Sequence, residues 1–138
     1  KLKEEVIADE DHYEMPFVNQ RFVGREHRYG YLARDGSADR FWSSLARVDT
    51  RTGKVDVYDF GAGQYCAEPV FAPIPGHEYE VGDAEEPGWI MSVVYDANSK
   101  RSYLAILRAD RLADGPVAKL MLRHHVPMSL HGFWYEGA

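Results

Sequence analysis

The sequence is that of an all-β chain, and three observations predict it. Aromatic residues make up 13% of the 138 positions, with nine Tyr, six Phe and three Trp, side chains that fit a pleated, half-buried surface. Short apolar runs alternate with clusters of Gly, Pro, Asp and Ser, the chemistry of strands and turns. No stretch holds an i, i+3, i+4, i+7 apolar period for three turns, as a packed helix would require.

Taken in order, residues 1–12 are charged and lack a sustained period, so they read as a surface strand or a frayed opening segment. Residues 13–138 form the body of the domain. Residues 27–33 (HRYGYLA) are a Tyr-rich run ended by the turn cluster Arg34-Asp35-Gly36-Ser37. Residues 41–48 and 54–60 flank Asp49-Thr50-Arg51-Thr52-Gly53, a hairpin in which Gly53 stands where a positive φ is useful. Residues 68–72 are a short run closed by Pro73-Ile74-Pro75-Gly76, and a polar, acidic loop follows over residues 77–87. Residues 88–95 (GWIMSVVY) are almost entirely apolar, as expected for a strand buried on both faces. Asp96-Ala97-Asn98-Ser99 turns the chain into residues 101–107, where Tyr103, Ala105 and Leu107 alternate with Ser102, Leu104 and Ile106. A loop with one helical turn over residues 110–116 leads to a last strand at residues 117–122.

The first group supplies three strands and the second four, all joined by turns. Two such meanders of similar length read as about two antiparallel blades of a β-propeller, with a β-sandwich as the rival architecture. A pair of blades alone exposes faces and edges. Together with the initial Lys1 in place of Met, this leads to the expectation of a processed or partial chain, a fragment of a full propeller.

The net charge of −6 excludes the basic footprint of a nucleic-acid binder. The longest apolar stretch, residues 89–95, is too short to span a bilayer, and no signal segment opens the chain. Cys66 is the single cysteine, which points to a reducing compartment, the cytoplasm, and to a small buried hydrophobe. Phosphate-binding and dinucleotide-binding glycine motifs are missing, and so is a Gly-x-Ser-x-Gly nucleophile; no side chain reads as a covalent or acid–base catalyst.

Five places could still carry chemistry. His131 lies in Pro127-Met128-Ser129-Leu130-His131-Gly132-Phe133-Trp134, where it reads either as a hydrogen-bonded histidine of an apolar strand or as a metal ligand. Gly132 beside it would permit close backbone approach. His124 and His125 would point to opposite faces of a strand, so at most one could join His131, and surface or packing roles are simpler. The loop bearing His77, Glu78, Glu80, Asp83, Glu85 and Glu86 is acidic enough for Ca²⁺ but lacks EF-hand spacing, and a solvated loop accounts for it more simply. Glu14 and Glu68 each stand in an apolar, Pro-bearing context, Tyr13-Glu14-Met15-Pro16-Phe17 and Ala67-Glu68-Pro69-Val70-Phe71. They read either as solvent-facing strand-edge residues or as acceptors for the second N–H of metal-bound histidines.

At these residues the chain resembles the carotenoid cleavage oxygenase family, which includes stilbene-cleaving dioxygenases and retinal pigment epithelium isomerases. Four collinear segments carry the resemblance, from about Tyr13 to Trp134: Glu14-Met15-Pro16 with Gly24-Arg25 and Arg28-Tyr29-Gly30-Tyr31; Glu68-Pro69-Val70-Phe71-x-Pro73; residues 88–96; and Val126-Pro127 with His131-Gly132-x-Trp134. The resemblance implies a seven-bladed propeller with non-haem iron(II) on its axis, held by four histidines from different blades, three of them hydrogen-bonded by glutamates. By position His131 matches the last ligand, Glu14 and Glu68 match two of the glutamates, and which of these faces His131 stays open. Leu130 is the residue of this stretch expected to line the substrate tunnel that the resemblance implies. The implied partners are a small apolar alkene and O₂, and the reaction splits a double bond into two carbonyl products.

The chain departs from the family pattern at Met128 and Leu130, where aromatic residues are frequent, and at His125, where Arg is frequent. The three earlier ligand histidines have no counterpart, because His12, His27 and His77 lie outside matching motifs. A single imidazole does not hold Fe(II) against water. The chain alone is therefore expected to be inactive unless it joins the rest of the propeller or another copy of itself. The alternative is a non-catalytic β-sheet or half-propeller interaction module.

Overall fold

The computed structural model describes residues 6–7, 12–35, 41–82 and 85–137. These residues form two antiparallel meanders and, among them, no α-helix. The first sheet runs β1 (His12–Phe17), β2 (Tyr29–Asp35), β3 (Ser44–Asp49), β4 (Val55–Asp59) in simple order. The second contains β5 (Gln64–Cys66), β6 (Val70–Pro73), β7 (Gly88–Asp96), β8 (Arg101–Arg108) and β9 (Pro116–Met121). Here β5 and β6 both pair with β7, so together they form one interrupted strand of a four-deep meander. Short 3-10 segments occupy Gln20–Phe22 and Ala109–Asp114, the latter where one helical turn was expected. No described helix is long and apolar enough to cross a membrane.

The all-β expectation holds, with two strands more than foreseen. The first sheet has four strands rather than three because residues 12–17 pair with β2. Their pattern is masked by Pro16 and by a register shift between Glu14 and Phe17, where Met15 takes φ 52°. An edge strand with one neighbour tolerates both. Residues 64–66 are too few to show a period. The turn expected at Arg34–Ser37 falls partly outside the described residues, which include Arg34 and Asp35 but not Gly36 and Ser37. The β3–β4 hairpin follows the sequence closely: Gly53 has φ 71°, its N–H donates to the Asp49 carbonyl at 2.8 Å, and Asp49 N–H donates to Lys54 O at 2.9 Å.

The sheets pack on each other through a shared apolar cluster. Tyr31 and Leu45 come from the first, and Phe71, Ile90, Val94 and Leu107 from the second, with Leu112 of the 3-10 segment wedged beside them. Strand β7 was expected to be buried on both faces. Instead one face (Gly88, Ile90, Ser92, Val94) is fully covered, while Trp89, Met91 and Val93 are half-buried. The strand buried throughout is β3, despite carrying Ser44, Arg47 and Asp49.

Arg47 is tolerated there because of the acidic loop, whose end is not solvated as the sequence implied. His77, Glu78 and Glu80 are exposed, but Glu85 and Glu86 are buried; Asp83 lies outside the described residues. The Glu85 carboxylate accepts N–H bonds from Arg28 (2.8 Å), Tyr29 (2.5 Å) and Gly82 (3.1 Å). Glu86 accepts the Tyr31 hydroxyl at 2.9 Å and forms a two-pronged ion pair with Arg47. Arg47 also reaches Asp56 at 2.9 Å and lies 4.1 Å from the Tyr29 ring centre. Burial raises the Glu86 pKa above the ordinary carboxylate value, with Arg47 and Tyr31 pulling against it. Burial likewise opposes the Arg47 charge, and its hydrogen bonds to the Glu86 carboxylate outweigh it, so its pKa rises. This cluster joins the two sheets and engages the Glu85 and Glu86 carboxylates.

Candidate metal centre

Between β5 and β6 the chain gains one residue on its neighbour. Cys66 stands opposite Val94 and Val70 opposite Met91, so four steps on one strand meet three on the other. This is a β-bulge at Ala67-Glu68-Pro69, a device that re-aims a side chain. Pro69 has no N–H to give to the ladder, which suits it to an interruption. The Ala67 N–H still reaches Val93 O at 2.8 Å, and the Ala67 carbonyl accepts the Ser92 hydroxyl at 2.8 Å.

The last segment reaches this bulge from the far side of the sheet. After β9, Leu122 N–H donates to the Ser102 carbonyl at 2.9 Å and Val126 N–H to the Ser102 hydroxyl oxygen at 2.8 Å. Beyond Pro127 the chain joins no ladder, and Arg21 holds its end through Glu136 at 2.8 Å. His131 is thus in an irregular tail, not in a strand as its apolar surroundings implied. Those apolar neighbours, Leu130, Phe133 and Tyr135, face outward. Nor is Gly132 crowded: a Cβ there would meet only Val70 at 3.8 Å, so the expected close backbone approach is absent.

The tail and the bulge meet at one carboxylate. Glu68 Oε1 lies 3.1 Å from His131 Nδ1, and Glu68 Oε2 accepts the Gly132 N–H at 2.7 Å. The glutamate side chain is 9% exposed and the imidazole 75%. A carboxylate accepts, so the bond requires Nδ1–H on the ring; in the neutral imidazole this leaves the lone pair on Nε2, which has no partner among the described residues. An imidazole oriented through its second nitrogen by a carboxylate is a metal ligand's usual environment. The donor set fits one coordination position and no more: among the described residues no three His, Cys, Asp or Glu side chains gather to hold an ion.

Glu14 is not brought here. It is exposed on the edge strand β1, opposite Ala33, and no described hydrogen bond or ion pair joins it to a histidine. His12, His27, His77, His124 and His125 are all exposed and apart from His131's carboxylate partner. Leu130 is 68% exposed. A hollow beside Glu68 is lined by Val70, Met91, Leu104, Phe133 and Trp134, so its apolar walls come from residues other than Leu130. Cys66 is fully buried as expected, and burial pushes its thiol up to about 12, which keeps it unreactive.

Two antiparallel meanders, with one glutamate-held imidazole at a bulge, define an all-β class of protein. The family model described as retinal pigment epithelial membrane protein matches residues 1–136, and the chain belongs to this family, the carotenoid oxygenases. It is 35% identical over 125 residues to the apocarotenoid-15,15'-oxygenase of Synechocystis sp., covering 89% of this chain and 24% of that protein. It is also 29% identical over 134 residues to carotenoid 9,10(9',10')-cleavage dioxygenase 1 of Pisum sativum, and 32% identical over 132 residues to an isoeugenol monooxygenase of Pseudomonas putida. These matches cover 88% of this chain in each case, and 24% and 26% of those proteins. Among solved structures, cobalt-substituted Synechocystis ACO superposes with a TM-score of 0.83 at 32% identity over 93% of this chain and 26% of that one. The chain therefore spans about a quarter of the length of the relatives it matches.

Proposed function

We propose that this chain is the C-terminal portion of a non-haem iron(II) dioxygenase, a seven-bladed propeller that splits an alkene double bond of a carotenoid, apocarotenoid or stilbene into carbonyl products. The observation that carries the reading is the Glu68–His131 contact, which leaves one imidazole nitrogen without a partner among the described residues. His131 would hold the iron together with three histidines outside this chain, and when bound the iron supplies the chemistry of dioxygen. Glu68 fixes the ring's tautomer, raises the basicity of Nε2, and ties the ring to the backbone through Gly132. The apolar side chains of the tail, Leu130 among them, would keep water from the alkene. Glu14, exposed as it is here, would receive a histidine from the remainder of the propeller. Free Cys66 agrees with a cytoplasmic, reducing setting. The chain alone, with a single ligand, would be inactive.

The test is aerobic turnover of an apocarotenal and a stilbene by the longer protein, with carbonyl products followed by chromatography. His131→Ala is expected to abolish product formation. Full activity in that variant would sink the proposal.

A further inference from the structure

We propose that Ser92 is a positioning residue whose hydroxyl holds the bulge at Ala67-Glu68-Pro69 and thereby aims Glu68 at His131. Why the carboxylate needs aiming rests on the proposed iron ligation; the aiming itself does not.

Ser92 is the polar exception on the covered face of β7, between Ile90 and Val94, and is 2% exposed. A buried hydroxyl is costly without a partner, and an alanine would fill nearly the same space. Its partner is the Ala67 carbonyl at 2.8 Å, one residue before Glu68. The site is also where the ladder fails: the pairing slips by one residue and Pro69 contributes no N–H. The hydroxyl thus supplies a donor at the point where the backbone of the bulge lacks regular pairing. With Ala67 fixed at both its N–H and its carbonyl, the next residue leaves the strand in one direction. That direction puts Oε1 at His131 Nδ1 and Oε2 at Gly132 N–H. The tail is anchored separately, through Ser102, so loss of the Ser92 hydroxyl should disturb the carboxylate and leave the tail's approach in place.

The experiment uses the full chain, uniformly ¹⁵N-labelled, studied by NMR at about pH 8, above the ordinary histidine pKa of about 6.5. The wild-type chain should show His131 in the Nδ1–H tautomer and a protected Gly132 amide. Ser92→Ala should move the ring toward the Nε2–H form usual for a solvated histidine and speed Gly132 exchange about tenfold, the factor for losing one hydrogen bond to a charged group. Ser92→Thr, which keeps the hydroxyl, should restore both. Ser92→Cys, of similar size but a weaker donor, should fall between, and it decides the matter if Ser92→Ala does not fold. Ile90→Val trims the same strand without touching the bulge and should leave the tautomer alone. A folded Ser92→Ala or Ser92→Cys chain with wild-type tautomer and Gly132 protection would overturn the proposal, as would an equal shift in Ile90→Val. None of these readings involves iron, so a failure of the oxygenase reading would show separately, in the turnover of His131→Ala.

Discussion

Glu86 and Glu68 are both buried carboxylates, and the molecule answers them differently. Glu86 meets a guanidinium and a phenol, Arg47 and Tyr31, inside the contact between the sheets. Glu68 meets one imidazole and one backbone amide at a bulge, with no Arg or Lys partner among the described residues. A carboxylate matched by a fixed cation is saturated and joins elements together. One matched by a ring whose other nitrogen stays open passes its influence outward, to whatever that nitrogen binds. The difference separates a clamp from a site, although the two regions share burial and chemistry.

The clamp should be the costlier to break. Arg47→Met leaves Glu86 buried without its cation, and the chain is expected to lose about 3–5 kcal/mol in urea denaturation. A loss below about 1 kcal/mol would mean that the ion pair does not join the sheets. Acid should loosen the same region next. Hydrogen bonds from Arg28 hold the Asp49 carboxyl well below the usual carboxylate range, with Arg51 N–H adding to the effect and burial opposing it. A depressed folded-state value contributes stability that is present above the unfolded pKa of about 4 and fades as pH falls through the folded value. The melting temperature should therefore decline from about pH 4 downward, and Asp49→Asn should flatten that decline.

At the site, Glu68→Gln should cost the chain only about 1–2 kcal/mol, because the ring and amide it meets are at the surface. Its larger effect should fall on iron: affinity in the longer protein should weaken roughly 10- to 100-fold, the usual penalty for losing an outer partner of a ligand histidine. Glu14→Gln should change chain stability by less than about 0.5 kcal/mol, as an exposed edge residue does. A Glu14 effect on the His131 tautomer as large as that of Glu68→Gln would erase the distinction drawn between the two glutamates.

Most strands were readable in the chain. The β3–β4 hairpin announces itself through Asp49 and Gly53, and β7 to β9 through apolar runs cut by turn residues. Strands β1 and β5 were not readable, one because Pro16 and a register shift break its period, the other because three residues carry none. His131 and Glu68 could be picked out as residues, but not as a pair, since 63 positions separate them. Glu14 looked equivalent to Glu68 because both follow an apolar residue and sit near a proline; what tells them apart is the contact of Glu68 with His131. The acidic loop misled for the same reason of distance. Its composition is that of a solvated segment, while the cation that buries Glu86 stands 39 residues away on β3. Ser92 did leave a trace, one hydroxyl in an otherwise apolar strand, but its meaning depends on which residue lies across the ladder.

The central claim is that His131, held by Glu68, contributes one ligand to an iron centre completed outside this chain. Fe(II) affinity of the longer protein, measured by chelator competition with and without His131→Ala, tests it most directly. The expected result is a weakening well beyond the roughly 100-fold that loss of an outer partner produces. Unchanged affinity in His131→Ala would contradict it.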